Sequence, residues 1–298
     1  MKLDVRKILV PTDFSETGEL ALEHAAFLAR LTKAEILLLH VLPPIDVTFT
    51  IPERIMHVQD RTELETAVEG KMKELADQTK AKYGIEPRTL GVSGKIAAEV
   101  VRNARDFKAD LIIMGTHGAK GFDEIFIGSN AHKVVSIAPC PVITVQELSK
   151  KIGFTNIVLP IDRSVHSREK VEGAISLASL YASKLHLVGL LEAGGEHEAE
   201  KLNIVLDQVQ HAIEKAGLPF SRKVVSGKNL AAEALKYGKE VNADLIMIMT
   251  DQESDLTGIF LGPISKQIVN HSRIPVMSIR PHYGKVDYVD TTGSYNFY

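Results

Sequence analysis

The chain has 298 residues, of which 45% are hydrophobic and 24% are charged, and its formal net charge is −3. This composition is typical of an ordinary globular protein, and the length favours two domains of about 150 residues each. Neither half carries a basic excess, so we expect no nucleic acid as a partner. The single cysteine, Cys140, excludes an intramolecular disulfide.

The sequence also lacks the signals of export and membrane insertion. No apolar run reaches the roughly 18 residues that a membrane span needs, so no membrane partner is expected. The first residues do not have the pattern of a signal peptide. We therefore expect a soluble cytoplasmic protein.

Short apolar runs alternate with helical patterns through the first half. Strands are predicted over residues 7–13, 35–42, 88–92, 110–115 and 141–145. Helices, with apolar residues at three- and four-residue spacing, are predicted over 18–31, 61–83, 97–107 and 130–136. Residues 45–60 are expected to be irregular. This alternation indicates a parallel sheet with right-handed crossovers and helices on both faces.

The second half repeats the plan of the first. Residues 156–162 align with 7–13 and keep both the proline and the aspartate, and residues 243–246 align with 109–112. We predict a tandem duplication with domains over residues 1–148 and 153–281. The tail, residues 282–298, belongs to neither repeat. The expected fold class is α/β, with two doubly wound five-stranded parallel-sheet domains in tandem.

The main candidate site follows the fourth predicted strand. Gly115 and Gly118 leave that strand, and Gly128 with Ser129 opens the next helix. Missing Cβ atoms allow close backbone approach, and the N–H groups at the start of a helix favour an anion. The pattern predicts a phosphate cradle, with a loop that binds nothing as the alternative. No Gly-x-Gly-x-x-Gly follows the first strand and no Gly-x4-Gly-Lys-Ser/Thr occurs, which argues against a Rossmann dinucleotide site and a P-loop.

Both halves resemble universal stress protein domains. The resemblance rests on Gly115-x2-Gly118-x9-Gly128-Ser129 and on Pro11-Thr12-Asp13 at the end of the first strand, and it extends over nearly all of residues 1–281. It implies an adenine nucleotide α-hydrolase-like fold and a bound adenine nucleotide. That nucleotide is expected to be ATP, with ADP or AMP as alternatives, with or without Mg²⁺.

The resemblance also implies which residues contact the nucleotide. Asp13 and Val41 are expected near adenine and ribose, and Gly115 against the ribose. Backbone N–H groups of Gly118, Gly128, Ser129 and Asn130, together with the Ser129 hydroxyl, are expected to bind the phosphates. The implied binding residues are Pro11, Thr12, Asp13, Val41, Met114, Gly115, Thr116, His117, Gly118, Gly128, Ser129 and Asn130. His132 is a further candidate for a phosphate contact, with a solvated helix position as the alternative.

The second half departs from this motif. Met249 stands at the place of Gly115, Gln252 at that of Gly118 and Pro263 at that of Ser129, while Gly262 is retained. Proline offers no N–H donor and no hydroxyl, although it is well suited to the first position of a helix. We therefore expect one nucleotide per chain, bound in the first domain.

The resemblance implies a stress-response sensor or regulator that hydrolyses ATP slowly at most. No catalytic residue and no metal-binding residue is predicted. The alternative is an interaction scaffold that does not use nucleotide and whose pockets are vestigial. In single-domain members two subunits pair through the fifth strand. The two fifth strands of this chain are therefore expected to pair with each other, with a homodimer as an additional possibility and unknown protein partners.

Overall fold

Strands and helices alternate through both halves of the computed structural model, which describes residues 3–44, 58–116, 128–146, 151–194, 196–250 and 262–281. The first half contains β1 (Lys7–Thr12), α1 (Glu16–Thr32), β2 (Glu35–Leu42), α2 (Val58–Tyr83), β3 (Arg88–Ser93), α3 (Ile96–Phe107), β4 (Leu111–Gly115), α4 (Ser129–Ile137) and β5 (Val142–Val145). The second half contains β6 (Asn156–Ile161), α5 (Val171–Tyr181), β7 (Lys184–Glu192), α6 (Glu196–Lys215), β8 (Phe220–Gly227), α7 (Leu230–Glu240), β9 (Leu245–Met249), α8 (Pro263–His271) and β10 (Val276–Ile279). A 3₁₀ turn, Val165–Arg168, precedes α5.

Some element boundaries differ from the predicted ones for local reasons. Helix α1 begins at Glu16 because Ser15 caps it, with its Oγ accepting the Gly18 N–H at 3.2 Å. Helix α2 begins at Val58, within the stretch predicted to be irregular. The remainder of that stretch, residues 45–57, lies outside the described residues, as does the tail.

In the described part of the chain the strands form one ten-stranded sheet in the order β3-β2-β1-β4-β5-β10-β9-β6-β7-β8. Neighbouring strands are parallel except at the centre, where β5 and β10 run antiparallel, with Thr144 opposite Val276. Each half thus has the strand order of a doubly wound domain, and the predicted fold class is confirmed. The predicted pairing of the two fifth strands is also present, and it joins the two sheets into one.

The two faces of this sheet are packed differently. On one face, side chains from α1, α2, α5 and α6 form a single hydrophobic cluster that extends through both halves. On the other face, α3 and α4 cover the first half and α7 and α8 the second, as two separate clusters. Alternate residues of each strand point to opposite faces, so Leu38 joins the shared cluster and Leu39 the cluster under α3.

An aromatic group connects the two halves on the shared face. The ring of Phe154, which is fully buried, lies 5.0 Å from the ring of His24 on α1 and 5.3 Å from that of Tyr181 on α5. Neither ring nitrogen of His24 has a hydrogen-bond partner within the described structure. Burial lowers the pKa of His24 to about 4, so this ring is neutral at pH 7.

Candidate functional site

A cavity of about 240 Å³ lies at the carboxyl edge of the first half of the sheet, where β1, β2 and β4 end. Ligands of open parallel sheets bind at this edge. The cavity brings together every predicted binding residue that the structure describes. These residues are Pro11, Thr12, Asp13, Val41, Met114, Gly115, Thr116, Gly128, Ser129 and Asn130. His117 and Gly118 lie outside the described residues.

The apolar wall of the cavity is the exposed end of the core under α3. Leu39 and Val41 from β2, Val100 from α3 and Met114 from β4 all belong to that cluster and also line the cavity. Val41 and Met114 are predicted from the sequence, whereas Leu39, Ile96 and Val100 are not. The alternation of Leu39 with Val41, and the four-residue spacing of Ile96 and Val100 on one helix face, could have identified them. Such a wall suits the flat apolar face of a ligand.

Asp13 lies at the polar end of the cavity, directly after β1. Its Oδ1 accepts the backbone N–H of Ser15 at 3.1 Å and the Ser15 hydroxyl at 2.5 Å. In the second half, Asp162 accepts the same two groups of Ser164 at 2.9 and 2.7 Å. One oxygen of each aspartate therefore stabilises the turn before the following helix. Among the described residues all hydrogen bonds to Asp13 fall on Oδ1, so Oδ2 remains available to a ligand.

The glycines of the cavity are required by packing within the chain. A Cβ added to Gly115 would lie 3.0 Å from the carbonyl carbon of Thr17 on α1. A Cβ added to Gly128 would lie 2.7 Å from the carbonyl oxygen of Thr116, and the Gly128 N–H donates to that oxygen at 2.8 Å. From the sequence, these glycines are expected to allow a ligand to approach the backbone closely. The structure shows that they also let backbone segments approach one another.

Helix α4 directs its first turn at the cavity. Gly128 occupies the N-cap position, no side chain caps the helix, and the first turn contains no acidic residue. The N–H groups at the start of a helix carry partial positive charge and favour an anion. Ser129 and Asn130, which open the helix, both line the cavity. No lysine or arginine is found among the described residues that line it.

His132 lies one turn further along α4 and is not among the described residues that line the cavity. Its Nε2 is buried without a hydrogen-bond partner in the described structure. Burial, together with the positive charge of Lys266, lowers the pKa of His132. A half-buried ring whose pKa is lowered, at a position outside the described lining of the cavity, does not support the suggested phosphate contact.

A further cavity among the described residues lies elsewhere and contains none of the predicted binding residues. It measures about 410 Å³ and is lined by Asp4, Asp110, Cys140 and Arg280, among others. Burial and the charge of Asp110 raise the pKa of the Cys140 thiol to about 12. The thiol is therefore protonated at pH 7 and a poor nucleophile.

Among the described residues, the matching edge of the second half is nearly closed. The cavity there measures about 30 Å³, enough for about one water molecule. Met249 is 5% exposed and Lys170 is 3% exposed, and both line this remnant. The Lys170 ammonium donates to the carbonyl oxygen of Ser167 at 2.6 Å. Gln252 lies outside the described residues.

The strand order defines a doubly wound α/β protein, and its described residues enclose a cavity beyond the strand ends of the first half. A model of the universal stress protein family matches residues 4–146 and again residues 153–280. The chain belongs to the universal stress protein family and carries the family domain twice. Within the described residues, no helix is both long and apolar enough to cross a membrane.

Relatives of one and of two domains are similar to the chain. It is 33% identical to the universal stress protein YxiE of Bacillus subtilis over 145 residues, which are 47% of this chain and 98% of that protein. It is 24% identical to a universal stress protein of Mycolicibacterium smegmatis over 288 residues, which are 92% of this chain and 97% of that protein. A universal stress protein from Archaeoglobus fulgidus shares the fold with a TM-score of 0.72, at 20% identity over 92% of this chain and 98% of that chain.

Proposed function

We propose that the first domain, residues 1–148, binds one adenine nucleotide in the 240 Å³ cavity. ATP is the proposed ligand, with ADP or AMP as alternatives. The proposal rests on one observation, which is that the two copies of the domain have cavities of very different size. The copy that retains Gly115, Gly128 and Ser129 has an open cavity, whereas the copy with Met249 and Pro263 has a remnant of about 30 Å³.

The residues that line the cavity suit each part of an adenine nucleotide. The wall containing Leu39, Val41 and Met114 suits the faces of an adenine ring. The free carboxylate oxygen of Asp13 can accept hydrogen bonds from ribose hydroxyls. The first turn of α4 can donate N–H groups to phosphate oxygens. Mg²⁺ is proposed only as a companion of the phosphates, because Asp13 is the one carboxylate among the described residues that line the cavity.

The biological role that we propose is a cytoplasmic, nucleotide-responsive regulator of a stress response, with slow ATP hydrolysis at most. In-line hydrolysis needs a group that orients water and, in most enzymes, a metal that spreads the developing charge. The described lining offers Asp13 as its only carboxylate, and one oxygen of that group holds the turn at Ser15. The binding chemistry is thus better supported than catalysis.

A reciprocal exchange between the two copies tests the proposal in the full chain. Gly128 and Gly262 precede the two helices with nearly the same backbone angles, φ −57 and ψ 146 against φ −56 and ψ 158. Proline therefore fits at position 129 without breaking α4. Ser129→Pro removes an N–H group and a hydroxyl from the phosphate site, and we expect ATP to bind about 100-fold more weakly.

The matched control is Pro263→Ser, which restores these groups in the closed copy and should create no second site. Calorimetric titration of wild-type protein should give one nucleotide per chain, and mass spectrometry of heat-released ligand should identify an adenine nucleotide. Two bound nucleotides per chain would contradict the assignment to the first domain. A folded protein that binds none would favour the scaffold.

A further inference from the structure

A histidine at the end of β2 lines the cavity from a position outside the glycine motif. His40 stands opposite Thr12 in the parallel register of β1 and β2, and its Nδ1 lies 2.8 Å from the Thr12 carbonyl oxygen. A carbonyl oxygen only accepts hydrogen bonds, so Nδ1 carries the proton. His40 therefore donates a hydrogen bond to the last residue of β1, the residue before Asp13.

The same ring also contacts the residue after Asp13. The rings of His40 and Phe14 are stacked, with centroids 4.5 Å apart and planes inclined by 23°. Phe14 has a φ of 62°, in the left-handed region that bulky residues rarely adopt, and its N–H donates to Thr12 Oγ1 at 3.1 Å. Such a conformation persists only where the surrounding structure holds it. His40 thus fixes the backbone on both sides of Asp13.

The second copy shows that the aspartate turn itself does not need this histidine. Gly189 aligns with His40, and a Cβ added there would lie 2.7 Å from Leu206 Cδ1, so α6 fills the space. Arg163 aligns with Phe14, does not have a positive φ, and pairs with Glu198 at 2.5 Å. Asp162 nevertheless makes the same hydrogen bonds to its serine. The stacked pair of His40 and Phe14 is therefore found only in the copy with the open cavity, whereas the turn after the aspartate forms in both copies.

We propose that His40 is a positioning residue of the nucleotide site, which holds Asp13 against the adenosine part of the ligand through Thr12 and Phe14. The inference rests on the function proposed above and adds a residue from outside the binding motif. Its effect passes through Asp13, so His40 needs no contact with the nucleotide.

Two substitutions in the full chain separate the contributions of the ring. His40→Phe keeps an aromatic ring beside Phe14 but removes the donor to Thr12. His40→Asn places an amide N–H near the position of Nδ1 and therefore restores the donor. We expect His40→Phe to weaken ATP binding about tenfold, and His40→Asn to stay within about threefold of the wild-type dissociation constant.

His186 on β7 offers a matched control, because it is also a strand histidine whose ring makes hydrogen bonds. Its Nδ1 lies 2.8 Å from Ser221 Oγ and its Nε2 lies 3.0 Å from Asn156 Oδ1. His186→Phe should lower the melting temperature and leave the dissociation constant of ATP unchanged. This control separates a loss of stability from a loss of positioning.

A double-mutant cycle with Asp13→Asn tests whether the effect passes through Asp13. In the Asp13→Asn background, His40→Phe should add little further loss, because the group that it positions is already changed. Additive losses, or an unchanged ATP affinity of His40→Phe, would overturn the proposal. If His40→Phe folds poorly, Phe14→Leu, which removes the ring contact with His40 and keeps the donor to Thr12, is combined with Asp13→Asn in the same kind of cycle. If the folded wild-type protein binds no adenine nucleotide, the proposed function is overturned together with the role of His40. This result differs from a failure of the His40 proposal alone, in which the wild-type protein still binds nucleotide.

Discussion

The carboxyl edges of the two half-sheets start from the same elements and end in different structures. Both have an aspartate after the first strand whose Oδ1 accepts two hydrogen bonds from a serine. In the first half that serine caps α1 directly, and Gly115 lets Thr17 of this helix pack against β4. In the second half Met249 replaces the glycine, a 3₁₀ turn replaces the first helical turn, and α5 begins only at Val171.

The second edge differs from the first at several positions that pack together. Met249 packs into the hydrophobic cluster that α5 and α6 share, and Lys170 is buried beside the 3₁₀ turn. The central pairing of β5 with β10 and the strand order are unaffected. The fold thus tolerates closure of the cavity, because its core lies between the sheet and the helices and not at the strand ends.

The largest expected effect on stability comes from a substitution at Gly115, the glycine that Met249 replaces in the second copy. Gly115→Ala places a methyl group 3.0 Å from the Thr17 backbone, so we expect the free energy of unfolding to fall by about 3 kcal/mol. The same substitution at Gly70, where an added Cβ meets nothing within 4 Å, should stabilise α2 by up to about 1 kcal/mol. Urea denaturation of both variants measures the difference. Equal changes in the free energy of unfolding would show that Gly115 has no packing role. Because Gly115→Ala also disturbs packing, a loss of nucleotide binding in this variant would not by itself prove contact with the ligand.

The free energy of unfolding is expected to depend on pH through His24, which lies on α1 where this helix meets the second half. Burial lowers the pKa of His24 to about 4, whereas its ordinary value is 6.5, and the charges of Glu23 and Asp244 offset this only in part. Between these two pH values, the His24 side chain is therefore protonated in the unfolded chain and neutral in the folded chain. This contribution to stability is complete above pH 6.5 and is lost as the pH falls towards 4.

We expect His24 to account for about 2 kcal/mol of the stability lost between pH 7 and pH 4.5. His24→Leu removes the titrating group, so its unfolding free energy should fall less over the same interval. Urea denaturation of both proteins at the two pH values measures this difference. An identical pH dependence would show that His24 is not the group responsible. In the second copy Gly173 takes the corresponding place, so no matching contribution is expected there.

The smallest effect on stability, and the sharpest test of the comparison, comes from the two aspartates. Asp13→Asn and Asp162→Asn both keep a carbonyl oxygen that can accept the serine N–H. Each should therefore change the free energy of unfolding by less than about 1 kcal/mol. Only Asp13→Asn should weaken ATP binding, by about tenfold, because it replaces the carboxylate oxygen that would accept hydrogen bonds from the ribose hydroxyls with an amide N–H group. Equal binding by both variants and the wild type would remove Asp13 from the site.

Much of the fold followed from local pattern. Apolar runs and the repeated Pro-x-Asp ending predicted the strands, because a buried parallel strand needs consecutive apolar residues. The spacing from Gly115 to Ser129 predicted where the cavity would lie, because ligands of such sheets bind beyond the strand ends. Helix starts were less well predicted. Whether Ser15 caps α1 depends on the turn geometry that Asp13 and Phe14 set.

The internal repeat indicated the duplication, and the alternation of strands and helices indicated the doubly wound fold. The pairing of the fifth strands and most of the residues at the cavity were implied by the family resemblance. The packing role of Gly115 became visible only in the folded chain, because Thr17 and Gly115 are distant in sequence and meet when α1 packs on β4. Tertiary structure likewise brought His40 against Thr12 and Phe14, and His24 against Phe154. Contacts between residues far apart in sequence depend on how helices and strands pack, and no local pattern specifies them.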